Sequence, residues 1–182
     1  MTGQAQRSRP IAFCLVPDRA AHSRLSRIID NLARELDAPP FEPHVTLYVG
    51  ERAAEDNIEA MLAGVAASMG PVDLTARATG HTEALFKTLF VEFEADARPH
   101  ALYRALRAGL ARQVDYNLQP HLSLIYKVLP EAKRRELAAH YDLCGQRIVF
   151  DHIAAVRPAG EDDHWMDIRG WDVWLRAPLT GR

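Results

Sequence analysis

Two short segments constrain this chain more than anything else in it: Pro43-His44-Val45-Thr46-Leu47 and Pro120-His121-Leu122-Ser123-Leu124. They agree position by position in physical class, and His121 follows His44 by 77 residues. The elements around them shift by a similar offset. Ile11 to Val16 is an apolar run that stops at Pro17-Asp18, which predicts a buried strand and then a helix capped by Asp18. Leu25, Ile28, Ile29, Leu32 and Leu36 follow at helical spacing until Pro39-Pro40 forbids continuation. Phe41 to Gly50 alternates as a strand, with Val45, Leu47 and Val49 on one parity and His44, Thr46 and Tyr48 on the other. Ile58, Met61, Leu62, Val65 and Met69 mark a second helix ended by Gly70-Pro71, and Val72, Leu74, Ala76 and Ala78 a further strand.

The second half runs in the same order. A strand is predicted from about Leu85 to Phe93 and a helix from about Pro99 to Arg112, followed by a strand over Pro120 to Lys127. Pro130 opens a helix to about Tyr141, and Arg147 to Val156 and Trp165 to Arg176 read as closing strands. The expectation is one domain of 182 residues made of two repeats, about 10–80 and about 84–176. The period is longer than the roughly 20–50 residues of solenoids, so two facing lobes are expected and not an extended array.

Strand residues two apart share a face, so His44 lies with Thr46 and His121 with Ser123. A pseudo-twofold relation between the lobes would bring the two pairs together in one pocket. Phosphodiester hydrolysis needs such a pair: the attacking water must lose a proton and the departing sugar oxygen must gain one. Imidazoles with an ordinary pKa near 6.5 can hold one neutral and one charged form near neutral pH, each transfer being worth about 10² to 10⁴ in rate. The hydroxyls of Thr46 and Ser123 can donate to the non-bridging oxygens. A strained five-membered cyclic phosphate suits this apparatus, because ring opening supplies driving force. Neither motif contains Asp, Glu or Cys, whereas catalytic zinc takes three protein ligands, so no metal or other cofactor is expected.

Composition narrows the partner. The formal net charge is −2 with a pI near 6.4, and Arg104, Arg107, Arg112, Arg134, Arg135 and Arg147 are dispersed. A continuous basic track for long nucleic acid is not legible, and a small anionic ligand fits better. Cys14 and Cys144 form no CxxC pair and the start MTGQAQRSRP lacks an apolar signal core, which predicts a reduced, cytoplasmic setting. No run approaches the ~18 to 20 apolar residues of a membrane span. A monomer is the simpler expectation.

The two motifs at this separation resemble the paired signatures of the two-histidine (2H) phosphoesterase superfamily, and most nearly its cyclic phosphodiesterase-like branch. TGHTEALFKTLFVEF at 79–93 and PHLSLIYKVLPEAKRREL from Pro120 onward extend the likeness over nearly the whole chain. The resemblance implies an α+β bilobal fold, two antiparallel sheets facing a central cleft with helices outside. It implies metal-independent opening of a nucleoside 2′,3′-cyclic phosphate or of ADP-ribose cyclic phosphate, with His44 and His121 catalytic and Thr46 and Ser123 holding substrate. Tyr126 matches an aromatic position that resembles a substrate-stacking residue. By strict alternation it points to the core instead, unless a bulge re-aims it. Phe86 reads as core packing, Lys87 as a solvated charge, and the acidic stretch at 161–165 as a solvated turn. The rival functions are an RNA 2′,5′-ligase-like enzyme acting on RNA ends, and a nucleotide-binding module without turnover.

Overall fold

In the computed structural model, residues 9–158 and 171–181 are described. The chain runs β1 (Arg9–Pro17), α1 (Arg19–Leu36), β2 (Val45–Arg52), α2 (Ile58–Ala67), β3 (Val72–His81), a 3-10 turn (Leu85–Lys87), β4 (Leu89–Phe93), α3 (Ala97–Ala108), β5 (His121–Ile125), α4 (Glu131–His140), β6 (Arg147–Pro158) and β7 (Trp171–Pro178). The part of the last predicted strand at 165–170, and the acidic stretch at 161–165, lie outside the described residues.

Local chemistry sets the helix ends. The Asp18 carboxylate accepts from the Ala21 N–H at 2.8 Å and starts α1, whose buried stripe is Ala21, Leu25, Ile29, Leu32 and Ala33. Asp37, left-handed at φ 49°, ends it two residues before Pro39. One apolar cluster takes side chains from all four α-helices and from β1 to β6, so helices cover one face of the strands.

All strand pairings are antiparallel, in the order β1-β2-β5-β4-β3-β6-β7, with β6 also paired to β1. The strands expected as two facing sheets are thus hydrogen-bonded into one. β6 joins its two wings: Arg147 to Phe150 pair with β3, and His152 to Pro158 pair with β7 on the same edge. The wings meet a second time at a single pair, Val45 opposite Leu122.

Two departures from simple alternation follow. On β2, Phe13 faces Tyr48 while Cys14 faces Thr46, so Leu47 is an extra residue. On β5, Leu89 faces Ile125 while Phe90 faces Ser123, so Leu124 is extra. Each bulge inverts the parity beyond it. Tyr48 therefore turns into the core, fully buried, and Val49 turns to the opposite face, the reverse of the sequence reading. The predicted strand from Leu85 also begins late. Thr88, fully buried, donates to the carbonyls of Ala84 and Leu85 and stabilises a 3-10 turn in its place.

Candidate active site

The Val45–Leu122 pair fixes the site. Both side chains are fully buried on the helix side, so their neighbours His44, Thr46, His121 and Ser123 share the other face. In an antiparallel register His44 stands opposite Ser123 and Thr46 opposite His121. The two histidines occupy diagonal positions, about 7–8 Å apart at the backbone level. That spacing leaves room for one phosphoryl group bonded to both rings at about 2.6–3.2 Å.

Each imidazole is anchored in the same way. The His44 Nδ1–H donates to the Glu42 carbonyl at 2.7 Å and the His121 Nδ1–H to the Gln119 carbonyl at 2.7 Å. A carbonyl only accepts, so Nδ1 must carry the proton and Nε2 is left for chemistry. Burial holds both rings below the ordinary histidine value. For His44 the Glu42 carbonyl and, more weakly, its carboxylate oppose this while the charge of His121 adds to it; for His121 the Gln119 and Phe86 carbonyls oppose and the Lys87 ammonium adds.

The hydroxyls differ. The Cys14 thiol donates to Thr46 Oγ1 at 3.9 Å, leaving the threonine hydrogen for a phosphoryl oxygen. Ser123 donates its hydrogen to the Phe86 carbonyl at 2.6 Å, a bond it would have to give up to donate to a phosphoryl oxygen. Burial pushes the Cys14 thiol up to about 12, so it stays protonated.

The bulge at Leu124 brings Tyr126 round to the histidine face, where strict alternation would have buried it elsewhere. Its phenol stands 3.5 Å from His44 Nε2, and burial raises its pKa against a hydrogen bond with Ser123. Phe41 stacks on the Tyr126 ring at 3.9 Å, and Phe86 and Trp171 close the group at 5.3 and 5.8 Å. Phe86 is therefore a half-buried cleft residue and not core. Lys87 is not a freely solvated charge either: its ammonium donates to Gln119 Oε1 at 3.1 Å and lies 4.8 Å over the Phe90 ring.

The two histidines, Thr46, Ser123 and the aromatic group of Phe41, Phe86, Tyr126 and Trp171 line one cavity of about 710 Å³, whose lining also includes Ala12, Cys14, Val49, Val156, Val173 and Tyr116. Sequence reading missed Phe41, Tyr116 and Trp171. Phe41 is three residues before His44 and carried that signal; Tyr116 and Trp171 reach the cleft by tertiary folding alone.

Residues 16–162 match the family model of the 2′-5′ RNA ligase superfamily. The chain belongs to that superfamily. This 2′-5′ RNA ligase superfamily member is thereby a 2H phosphoesterase, the class to which its two motifs pointed. No curated protein matches it by sequence. Among solved structures it is similar to TT0787 of Thermus thermophilus, with 18% identity over 95% of this chain and 99% of that one and a TM-score of 0.64. It is also similar to Escherichia coli LigT complexed with 3′-AMP, with 16% identity, 96% and 99% coverage and a TM-score of 0.59. At such identities the likeness is one of fold.

Proposed function

We propose that this superfamily member is a metal-independent cyclic phosphodiesterase that opens a nucleoside 2′,3′-cyclic phosphate, or ADP-ribose cyclic phosphate, to a phosphomonoester. The observation that carries the reading is the pairing of Val45 with Leu122, which sets two Nδ1-anchored imidazoles diagonally on one face. His44 and His121 exchange the acid and base roles at Nε2. Thr46, Ser123 and Tyr126 hold the phosphoryl oxygens, and the aromatic group beside His44 takes the base or ribose by stacking. LigT, which shares the fold, binds 3′-AMP. That compound is one of the two monoesters obtainable from adenosine 2′,3′-cyclic phosphate.

A second reading, action on RNA ends, draws support from the family itself, whose model is that of 2′-5′ RNA ligases. The two separate in one experiment. Protein in EDTA is given adenosine 2′,3′-cyclic phosphate and, in parallel, an oligonucleotide with a cyclic end, across a salt series. The cyclic phosphodiesterase reading expects turnover of the mononucleotide with little dependence on salt. Turnover confined to the oligonucleotide, weakening steeply with salt, establishes the second reading. Activity lost in EDTA and restored by a metal contradicts the first.

A further inference from the structure

Cross-strand pairing builds a row of four apolar side chains along one wing of the cleft. Val49 on β2 stands opposite Ala12 on β1, Ala12 opposite Val156 on β6, and Val156 opposite Val173 on β7. All four line the cavity that holds the two histidines, and the row crosses three strand spacings of about 4.8 Å each. Trp171, two residues before Val173, shares its face and joins the row to the aromatic group around Tyr126.

The charges around this row are spent on one another. Apart from the histidines, the charged side chains among the described lining residues are two acids, Glu42 and Asp115. Arg176 is bonded to Glu42, and Arg107 to Asp115 at 3.2 Å. Arg157 follows Val156 and so points to the opposite face, where it bonds Asp172 at 3.1 Å and, with Arg52, lies over the Trp174 ring at 5.0 Å. Lys87 is on the other wing, where its ammonium lies over Phe90 and donates to Gln119 at 3.1 Å. A cation thus stands near the phosphoryl position beside His121, but a group lying on the apolar row meets none among the described residues.

A phosphate laid on such a floor would lose its water without gaining a cation, and the two acids would repel it. A neutral sugar or base loses little there. We propose, resting on the cyclic-phosphate reading above, that the cleft selects its substrate by charge: the one negative charge is that of the cyclic phosphate at the two histidines, and whatever lies over Val49, Ala12, Val156 and Val173 is uncharged. The substrate class is a nucleoside 2′,3′-cyclic phosphate with a free 5′ hydroxyl. ADP-ribose cyclic phosphate, which carries a pyrophosphate on the 5′ side of the cyclised sugar, is a poor substrate. A cyclic-ended RNA, with a phosphodiester at that same place, is another.

The test is kcat/KM in EDTA for adenosine 2′,3′-cyclic phosphate, the same compound bearing a 5′ phosphate, and ADP-ribose cyclic phosphate. The wild type is expected to favour the 5′-hydroxyl compound over either of the others by about tenfold or more. Val173 is 37% exposed on the edge strand β7, so Val173→Lys is tolerated and its stem carries an ammonium over the row. That variant is expected to narrow the ratio between the 5′-hydroxyl and 5′-phosphorylated compounds by roughly threefold or more. Val173→Met, which adds length without charge, is expected to keep the wild-type ratio. Reading the ratio within one protein cancels any loss common to both substrates. Should Val173→Lys misfold, Val49→Lys brings the cation from the other end of the row. Equal turnover of the 5′-hydroxyl and 5′-phosphorylated compounds by the wild type overturns the proposal, as does a ratio that the lysine leaves unmoved. Narrowing by Val173→Met as large as that by lysine assigns the effect to shape and overturns it too. A wild type that turns over none of the three compounds overturns the functional reading itself, and this inference with it.

Discussion

Removing one oxygen atom from Tyr48 should loosen the cleft without touching the reacting groups. The ring is fully buried, packed edge-on against Tyr103 at 5.6 Å and Tyr116 at 6.0 Å. Its phenol bonds Val114 twice, accepting from the N–H at 2.8 Å and donating to the carbonyl at 3.1 Å. Tyr103 performs a similar task beside it, donating to the Tyr116 carbonyl at 3.0 Å. Two phenols thus pin the segment from 109 to 120, which brings Tyr116 to the cleft wall and delivers His121. Tyr48→Phe keeps the ring, so no cavity opens and the loss is confined to two hydrogen bonds. Val114 is 38% exposed, so its backbone groups can rehydrate, and the cost is about 1–2 kcal/mol in all. For a chain of this size that lowers Tm by roughly 2–8 °C. Catalysis should show a raised KM with kcat little changed, because substrate must now order the wall. The assay is a thermal melt beside steady-state kinetics. An unchanged Tm, or a fall in kcat at constant KM, refutes the reasoning.

Other substitutions and pH test the site further. Tyr126→Phe keeps the stack on Phe41 but removes the phenol near His44, so kcat should fall about tenfold or more with KM little altered; a change in KM alone would assign the phenol to ground-state binding. The His44 and His121 imidazoles are both held below their unfolded value of about 6.5, so the unfolded chain takes up protons first as pH falls. Their contribution to stability is complete above about pH 6.5 and is lost as pH drops through that value toward the depressed folded ones. Urea midpoints should therefore decline on acidification more steeply in the wild type than in a His44→Ala, His121→Ala double variant. Parallel declines would show that burial of these rings has no such cost.

Much of the fold was legible because short-range chemistry decides it. Asp18 and Pro39 bound α1 as their side chains and ring require. Period-two reasoning put His44 with Thr46 and His121 with Ser123, and it holds as far as those residues. It fails one residue later on each strand, where Leu47 and Leu124 are inserted. A bulge is set by the partner strand's register and leaves no mark in a run of apolar residues, so the turning of Val49 and Tyr126 into the cleft could not be read locally. The same holds for β4: Leu85, Phe86 and Lys87 carry strand-like apolar character, and only the burial of Thr88 beside the carbonyls of Ala84 and Leu85 reveals a turn. Trp171 enters the site through the pairing of β7 with β6, a contact with no local signature.

The sharpest trial of the account asks whether one phosphoryl group engages both rings at once. Protein labelled with ¹⁵N at its eight histidines, with signals assigned through His44→Ala and His121→Ala, is titrated with a nucleoside 2′,3′-cyclic vanadate. The Nε2 resonances of His44 and His121 should move together and saturate at one equivalent, their Nδ1 signals remaining those of hydrogen-bond donors. Movement of a single ring, or saturation of the two at different ligand ratios, would contradict it.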